Sequence, residues 1–262
     1  MSVEPLQGRV ILITGSSSGI GLTTAKMALA QGAKVIVHGH DPDKVREAAA
    51  ALGGPPSCVV DLALADCGDR IVDAALQAHG RLDGLVNNAG IFPRGDLDAT
   101  DAAFFDGILA VNARAPLLVA RRAVAAFRQQ GSAGAIVNIG SVNAYCGQPD
   151  LLAYSMSKGA LMTMTRNIAD ALAPERIRVN QLNVGWTLTE TEIETQRRQG
   201  RPDDWPQRIP PLYAPTGGIL SPEMIAAHVL FWLSDASAPV TGQVYEVEQY
   251  PFLGRTVMSR VI

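Results

Sequence analysis

Tyr154 and Lys158 stand four residues apart in Tyr154-Ser155-Met156-Ser157-Lys158, at the start of a segment with helical periodicity, so their side chains share one face. An ammonium held near a phenol favours the phenolate. It brings a group whose ordinary pKa is about 10 toward the range where a proton can be exchanged at neutral pH. Alone, the pair also fits an ordinary helix-surface contact. Ser141 sets it apart, because this hydroxyl closes the buried-strand pattern Ile136-Val137-Asn138-Ile139-Gly140 shortly before the helix. A second stretch, Thr14-Gly15-Ser16-Ser17-Ser18-Gly19-Ile20-Gly21, links a β-branched run to a helical pattern. Gly15 allows a tight turn, Gly19 lets the backbone approach a pyrophosphate, and Gly21 lets helix and strand pack closely. The helix N-terminus then offers free N–H groups and a positive dipole end to phosphates. The spacing is G-x-x-x-G-x-G instead of G-x-G-x-x-G, so the position after the first strand counts for more than the glycines themselves.

Positioning these groups requires a sheet. Short β-branched runs at Val10–Thr14, Lys34–His38, Ser57–Val60, Leu82–Asn87, Ala135–Ile139, Arg178–Leu182 and Gln243–Val247 alternate with alanine-rich helical segments. The helical segments are Ile20–Gln31, Pro42–Leu52, Asp66–His79, Asp101–Gln130, Leu152–Leu172 and Pro222–Ser234, with Gly32, Gly53, Gly80 and Gly131 as stops. Strands that are apolar throughout are covered on both faces. The pattern predicts one α/β domain over residues 1–262, a doubly wound seven-stranded parallel sheet with helices on both faces. Thr187 to Ser221, rich in Pro, Gln, Arg and Glu, breaks the rhythm and reads as a substrate lid. The alternative is a surface insertion with a short helix at Glu190–Gln199.

The second strand ends at Val37-His38-Gly39-His40, roughly 20 residues after the turn, where a dinucleotide site that prefers NAD keeps an acid for the ribose 2′-hydroxyl. Gly39 stands there. Without a carboxylate nothing repels a 2′-phosphate, and His40 could help to hold one, which leans the expectation toward NADP over NAD. His40 as a plain loop residue before Asp41-Pro42 is the other reading, and Asp41 could instead reach the ribose.

With these motifs in order, the chain resembles the short-chain dehydrogenase/reductase family from about Gly8 to Val247. The resemblance implies a Rossmann fold and cofactor contacts at Gly15, Ser17, Ser18, Gly19, Ile20 and Gly21. It implies adenine contacts at Asp61 and Leu62, and a fourth-strand motif at Asn87-Asn88-Ala89-Gly90. It also implies a catalytic set of Asn112, Ser141, Tyr154 and Lys158. Tyr154 would exchange a proton with the substrate oxygen and Ser141 would stabilise that oxygen. Lys158 would lower the tyrosine pKa and hold the nicotinamide ribose, and Asn112 would anchor a water on the proton path. Gly185, Thr187 and Thr189 align with positions near the nicotinamide carboxamide. Two departures stand out. Asn183-Val184-Gly185 replaces Asn-Pro-Gly, and Val247-Glu248-Gln249 replaces Val-Asp-Gly-Gly-like endings. The implied function is interconversion of a secondary alcohol and a carbonyl, in a homotetramer or homodimer built on the long helices. A catalytically silent nicotinamide-binding protein is the alternative.

Of the 262 residues, 47% are apolar and 18% charged, with a net charge of −3 and no basic stripe, which argues against nucleic acid as a partner. Cys58, Cys67 and Cys146 lack the spacing of a zinc site or dithiol and read as free thiols, with Cys146 a small apolar filler. No signal peptide is visible and Arg121 and Arg122 break the longest apolar run, so a cytoplasmic protein without a membrane partner is expected. His38, His79 and His228 lack partners at ligand spacing, so no metal is expected. Asp66, Asp69 and Asp73 read as a solvated helix face.

Overall fold

Successive residues of a strand face opposite sides, and in β1 (Val10–Ile13) both sets are apolar. Val10 and Leu12 enter one core layer, while Ile11 and Ile13 enter the other. A strand of this kind is stable only between two helical layers. The computed structural model describes residues 5–145 and 147–251, so Cys146 lies outside the described residues. β1 is joined by β2 (Lys34–Gly39), β3 (Ser57–Val59), β4 (Gly84–Asn87), β5 (Gly134–Ser141), β6 (Ile177–Val184) and β7 (Val244–Val247). They form one parallel sheet in the order β3-β2-β1-β4-β5-β6-β7.

Helices α3 (Cys67–His79), α5 (Ala115–Gln130) and α6 (Leu152–Leu172) cover one face, with Ile71, Val119 and Phe127 packed on Leu12, Leu85 and Ile136. Helices α1 (Gly19–Ala30) and α8 (Pro222–Leu233) cover the other, with Ala25, Ile225 and Val229 on Ile13, Val86 and Val137. Helix α2 (Pro42–Ala51) adds Val45 and Ala48 against Val37. Each fully buried Ile, Leu or Phe contributes about 1.5–3 kcal/mol of transfer free energy. The predicted stops Gly80 and Gly131 are both left-handed helix ends, at φ 72° and 63°.

Two expectations need correction. First, the segment Asp101–Gln130 is not one regular helix. Helix α4 (Ala102–Leu109) passes through a π turn at Ala110–Arg114 into α5, and Asn112 is fully buried in that turn. Second, by length and composition alone Ala102–Gln130 is apolar enough to cross a membrane, contrary to the sequence reading. Here it packs on the sheet, and its Arg122 pairs with Asp69 at 3.8 Å and Asp73 at 2.5 Å on α3, so those acids are ion-paired and not simply solvated. The short helix expected at Glu190–Gln199 is present as α7 (Glu190–Arg198), followed by a short turn at Trp205–Arg208. β5 and β6 also run two residues further than expected, pairing Ser141 with Val184, so the serine is delivered by strand backbone.

Candidate active site

The strand order reverses between β1 and β4, and loops leaving the C-terminal ends of neighbouring strands part there. A cleft of about 770 Å³ opens at that point. Its walls include Gly15, Ser17, Ser18, Gly19 and Ile20 after β1, His40 after β2, Asp61 and Leu62 after β3, Asn88, Ala89 and Gly90 after β4, and Thr189 at the lid. A second depression of about 590 Å³ lies at the N-terminal ends of the central strands, between Arg9, Asp83, Arg176 and Arg178, and none of the catalytic candidates lines it.

The turn after β1 has the form a pyrophosphate needs. Ser18, the N-cap of α1, makes no side-chain cap and no acid occupies the first turn, so the helix keeps donors and positive potential for an anion. Gly21 is sterically obligatory, since a Cβ there would overlap Gly15 O and stand 2.5 Å from Asn88 Nδ2. Asn88 in turn donates to Thr14 O at 2.9 Å and Gly15 O at 3.2 Å, tying the β4 loop to the turn. Thr189 caps α7, accepting from Glu192 N at 3.1 Å, and its methyl lies over Gly19. Thr187 is nearly buried and donates to Gly185 O at 3.0 Å. Gly185 has no room for a side chain because Glu248 fills the space, and Glu248 also accepts from Trp186 N at 3.3 Å. The unusual C-terminal segment therefore supports the turn that lost its proline.

Sequence reasoning set His38 aside, yet it holds this turn. Its Nδ1 accepts the Gly15 N–H at 3.0 Å, and its Nε2 donates to Val60 O at 3.0 Å. Burial is the main force pulling its pKa to about 4, so the ring is neutral at neutral pH. The unfolded chain binds this proton below about 6.5 and the folded one only near 4. Stability is therefore complete above pH 6.5 and falls as pH drops toward 4, by about 3 kcal/mol for this residue. Denaturant unfolding at pH 7 and pH 4.5 checks this: His38→Asn should lose less stability on acidification than wild type, and equal losses would remove His38 from the account.

Gly39 has Ser17 Oγ and Val45 Cγ2 each 2.7 Å from where its Cβ would stand, so the chain has no space for an acid there. Asp41 is occupied in capping α2, with Oδ1 accepting from Asp43 N at 3.0 Å and Lys44 N at 3.2 Å. These backbone donors, that of Lys44 foremost, hold its carboxyl below the usual range. Lys44 lines the cleft beside His40, a contribution the sequence reading missed because only the helix turn brings it round.

The catalytic candidates converge next to this cleft. Ser141 Oγ accepts from Asn143 N at 3.2 Å, and its hydroxyl acts on the Tyr154 phenol, favouring the ionised form. Lys158, 4% exposed, donates from Nζ to Ile139 O at 2.8 Å and lies 5.7 Å from the Tyr154 ring centre. Burial pulls its ammonium down to about 8. Both Asn112 amide hydrogens are used, on Ile91 O at 2.8 Å and Ser157 Oγ at 3.1 Å, while Oδ1 accepts Ile91 N at 2.8 Å. The missing side chain of Gly90 leaves a point 3.3 Å from Asn112 Oδ1 and 3.4 Å from Lys158 Nζ. One expectation is overturned: the phenol of Tyr154 is raised, not lowered. Burial dominates, the Ser141 hydroxyl opposes it, and Glu192 and Arg94 add raising and lowering contributions. In this state Tyr154 is a proton donor.

The segment after β6 contributes Thr189, Thr191 and Thr195 to the cleft. Trp186 and Trp205 stack with ring centres 5.3 Å apart, and the Arg201 guanidinium lies 5.6 Å from the Trp186 ring. Glu192 Oε1 accepts from Trp186 Nε1 at 2.8 Å and Gln196 Nε2 at 2.6 Å.

Known proteins bear on this arrangement. A family model described as enoyl-(acyl carrier protein) reductase matches residues 15–249. The chain is 36% identical over 249 residues to 2-(S)-hydroxypropyl-CoM dehydrogenase 3 of Xanthobacter autotrophicus, covering 93% of this chain and 96% of that one. L-sorbose reductase of Gluconobacter frateurii, solved with NADPH and L-sorbose, superposes with a TM-score of 0.89 at 29% identity, over 97% of this chain and 100% of the other. A 3-ketoacyl-(acyl-carrier-protein) reductase of Brucella melitensis, solved with NADH, gives 0.80 at 31% identity, over 92% and 97%.

Proposed function

The chain belongs to the short-chain dehydrogenase/reductase family and is an NAD(P)-dependent oxidoreductase of alcohols and carbonyls, and on that premise we propose that Tyr154, Ser141, Lys158 and Asn112 perform its proton transfer. The observation that carries this reading is the buried Lys158 ammonium 5.7 Å from the Tyr154 ring centre, with Ser141 acting on the same phenol, at the edge of a cleft shaped for a pyrophosphate. A reduced nicotinamide dinucleotide, held by the Gly15–Gly21 turn and the Asn88–Gly90 loop, would supply the hydride for the carbonyl carbon. Tyr154 gives its hydroxyl proton to the carbonyl oxygen, so the π bond is replaced by one C–H and one O–H bond. Ser141 Oγ, already accepting from Asn143, directs its own proton to the same oxygen as charge builds. Lys158 and Asn112, facing one another across Gly90, support a path that returns a proton to the tyrosinate. Absorbance at the nicotinamide band across a panel of ketones and secondary alcohols tests it. Tight nicotinamide binding with no turnover of any panel member would favour a silent binding protein.

The cofactor end supports use of NADP(H) at least as well as NAD(H). Gly39 excludes an acid, Asp41 is committed to its helix, and His40 and Lys44 present positive or hydrogen-bonding groups. Lys44→Ala should lower the NADP(H) over NAD(H) ratio of kcat/KM by about one to two decades, the size of a charged hydrogen bond. Asp41→Ala should leave that ratio nearly unchanged. A strong NAD preference erased by Asp41→Ala would reverse the assignment.

A dimer or tetramer using α5 and α6 is supported by the exposed Leu117 and Met156 on those helices. The free thiols of Cys58 and Cys67 support a reducing, cytoplasmic setting.

A further inference from the structure

We infer that the substrate carries an apolar substituent on its reacting carbonyl carbon, an alkyl chain or an aryl ring, and that Phe92 is the residue that receives it. This inference rests on the assignment of Tyr154 as the proton donor to that carbonyl.

Phe92 stands between two backbone clamps. On one side Asn112 grips Ile91 twice, accepting from its N–H at 2.8 Å and donating to its carbonyl at 2.8 Å. On the other, Gly95 N donates to Asp150 O at 2.8 Å and Leu152 N donates to Gly95 O at 3.4 Å, beside an isolated parallel bridge between Gly95 and Leu151. A side chain at Gly95 would stand 2.6 Å from the Phe104 ring, so the approach that makes this bridge depends on the glycine. Leu152 opens α6, two residues before Tyr154. The loop is therefore fastened both to the π turn that carries Asn112 and to the helix that carries the tyrosine, and the backbone of Phe92 is held between them.

The Phe92 side chain is only partly buried and lines the cleft. Its ring meets that of Tyr154 edge-on, with centres 6.2 Å apart and planes at 70°. A carbonyl oxygen must come within hydrogen-bond reach of the phenol to be protonated, and a ketone spreads two substituents from the carbon next to that oxygen. Phe92, packed against the tyrosine and open to the cleft, lies within reach of one of them.

The side chains flanking Phe92 carry no donor or acceptor. Ile91, 40% exposed, and Pro93, also exposed, continue the same wall of the cleft in hydrocarbon. Arg94, the next residue, is turned to Asp150, whose Oδ2 lies 3.5 Å from Nη1. Apolar surface that faces a cleft is stabilised when a ligand takes the place of its water. A hydroxyl pressed against the same surface gives up hydrogen bonds to water and finds no replacement among these side chains. The wall therefore favours a hydrocarbon substituent over a hydroxylated one.

The experiment measures kcat/KM along the methyl ketones from acetone to methyl hexyl ketone, with benzyl methyl ketone and hydroxylated ketones of the same lengths beside them, using NADPH and NADH and the full chain. In wild type each of the first few added methylenes should raise kcat/KM about fourfold, the transfer value of a buried methylene, mainly through KM. Phe92→Ala should flatten the series, cutting the advantage of methyl hexyl ketone over acetone about 10-fold or more, with acetone itself changed by less than about threefold. Phe92→Leu, which keeps an apolar wall, should keep most of the slope, and Phe92→Gln, bulky but polar, should flatten it as Ala does. Series that run parallel in wild type and in Phe92→Gln, or an equal loss on every ketone with acetone included, would mean that Phe92 only supports the Tyr154 ring, and the inference would be wrong. A wild type that gains nothing with chain length, or that prefers the hydroxylated ketones, also overturns it, while leaving the reductase reading intact. Absence of turnover on every ketone, with nicotinamide bound, overturns both.

Discussion

Tyr154→Phe should lower kcat by about 10³-fold or more, because it deletes the only proton the phenol can give, and general acid catalysis by a positioned group is worth about 10²–10⁴-fold. The ring itself should stay in place. Phe92 packs against it edge-on at 6.2 Å between centres, and the Lys158 ammonium lies over it, contacts that a phenylalanine keeps. Affinity for NADPH, read by fluorescence titration, should change by less than about twofold. Ser141 Oγ keeps its contact with Asn143 N in the mutant. A mutant with near wild-type rate would remove Tyr154 from the chemistry. A mutant with poor NADPH binding would show that the hydroxyl organises the cofactor and does not serve the substrate oxygen alone.

Gly21→Ala should weaken NADPH binding about 10- to 100-fold, equivalent to about 1.4–2.8 kcal/mol. The added methyl would meet Gly15 O, a backbone atom in the phosphate turn, and the Asn88 amide that ties β4 to that turn. Neither is the free end of a flexible chain, so the first turn of α1 must move away from the loop whose N–H groups face the cleft. Some stability should go as well, about 1–3 kcal/mol for overpacking a filled position. Gly107→Ala is the control, because that helical glycine has nothing near its Cβ and the change should be neutral or stabilising. Unchanged NADPH affinity in Gly21→Ala would show that the turn can relax without moving its donors, and the account of the cradle would fail.

What the sequence determined by itself is the order of elements and the chemistry on them. Apolar runs such as Val10–Ile13 and Ala135–Ile139 are short, β-branched and unbroken, and a chain can bury both faces of such runs only by interleaving helices, so fold class was legible from local pattern alone. The glycine turn and the Tyr154–Lys158 spacing were legible for a similar reason, since each is a local relation within a few residues. Ser141 was legible as the hydroxyl closing a buried strand, while Asn112 needed the resemblance, because nothing in its spacing reaches the tyrosine helix. The protonation state of Tyr154 could not be read at all. Spacing says that a cation stands near the phenol, but burial decides the sign of the shift, and burial is a property of the packed site.

Long-range contacts set the rest. His38 has no partner at any sequence spacing that signals function, and it became the acceptor for Gly15 only because β1 and β2 lie side by side in parallel. Lys44 reaches the cofactor end by one turn of α2, and the β4 loop is tied to the start of the tyrosine helix through the Gly95–Leu151 bridge. Glu248 supports Gly185 across the β6–β7 pair. Sequence patterns report which residues are near one another along the chain and which face of an element is apolar. Charges, orphaned donors and shifted pKa values depend on distances between elements, and only the tertiary structure decides those.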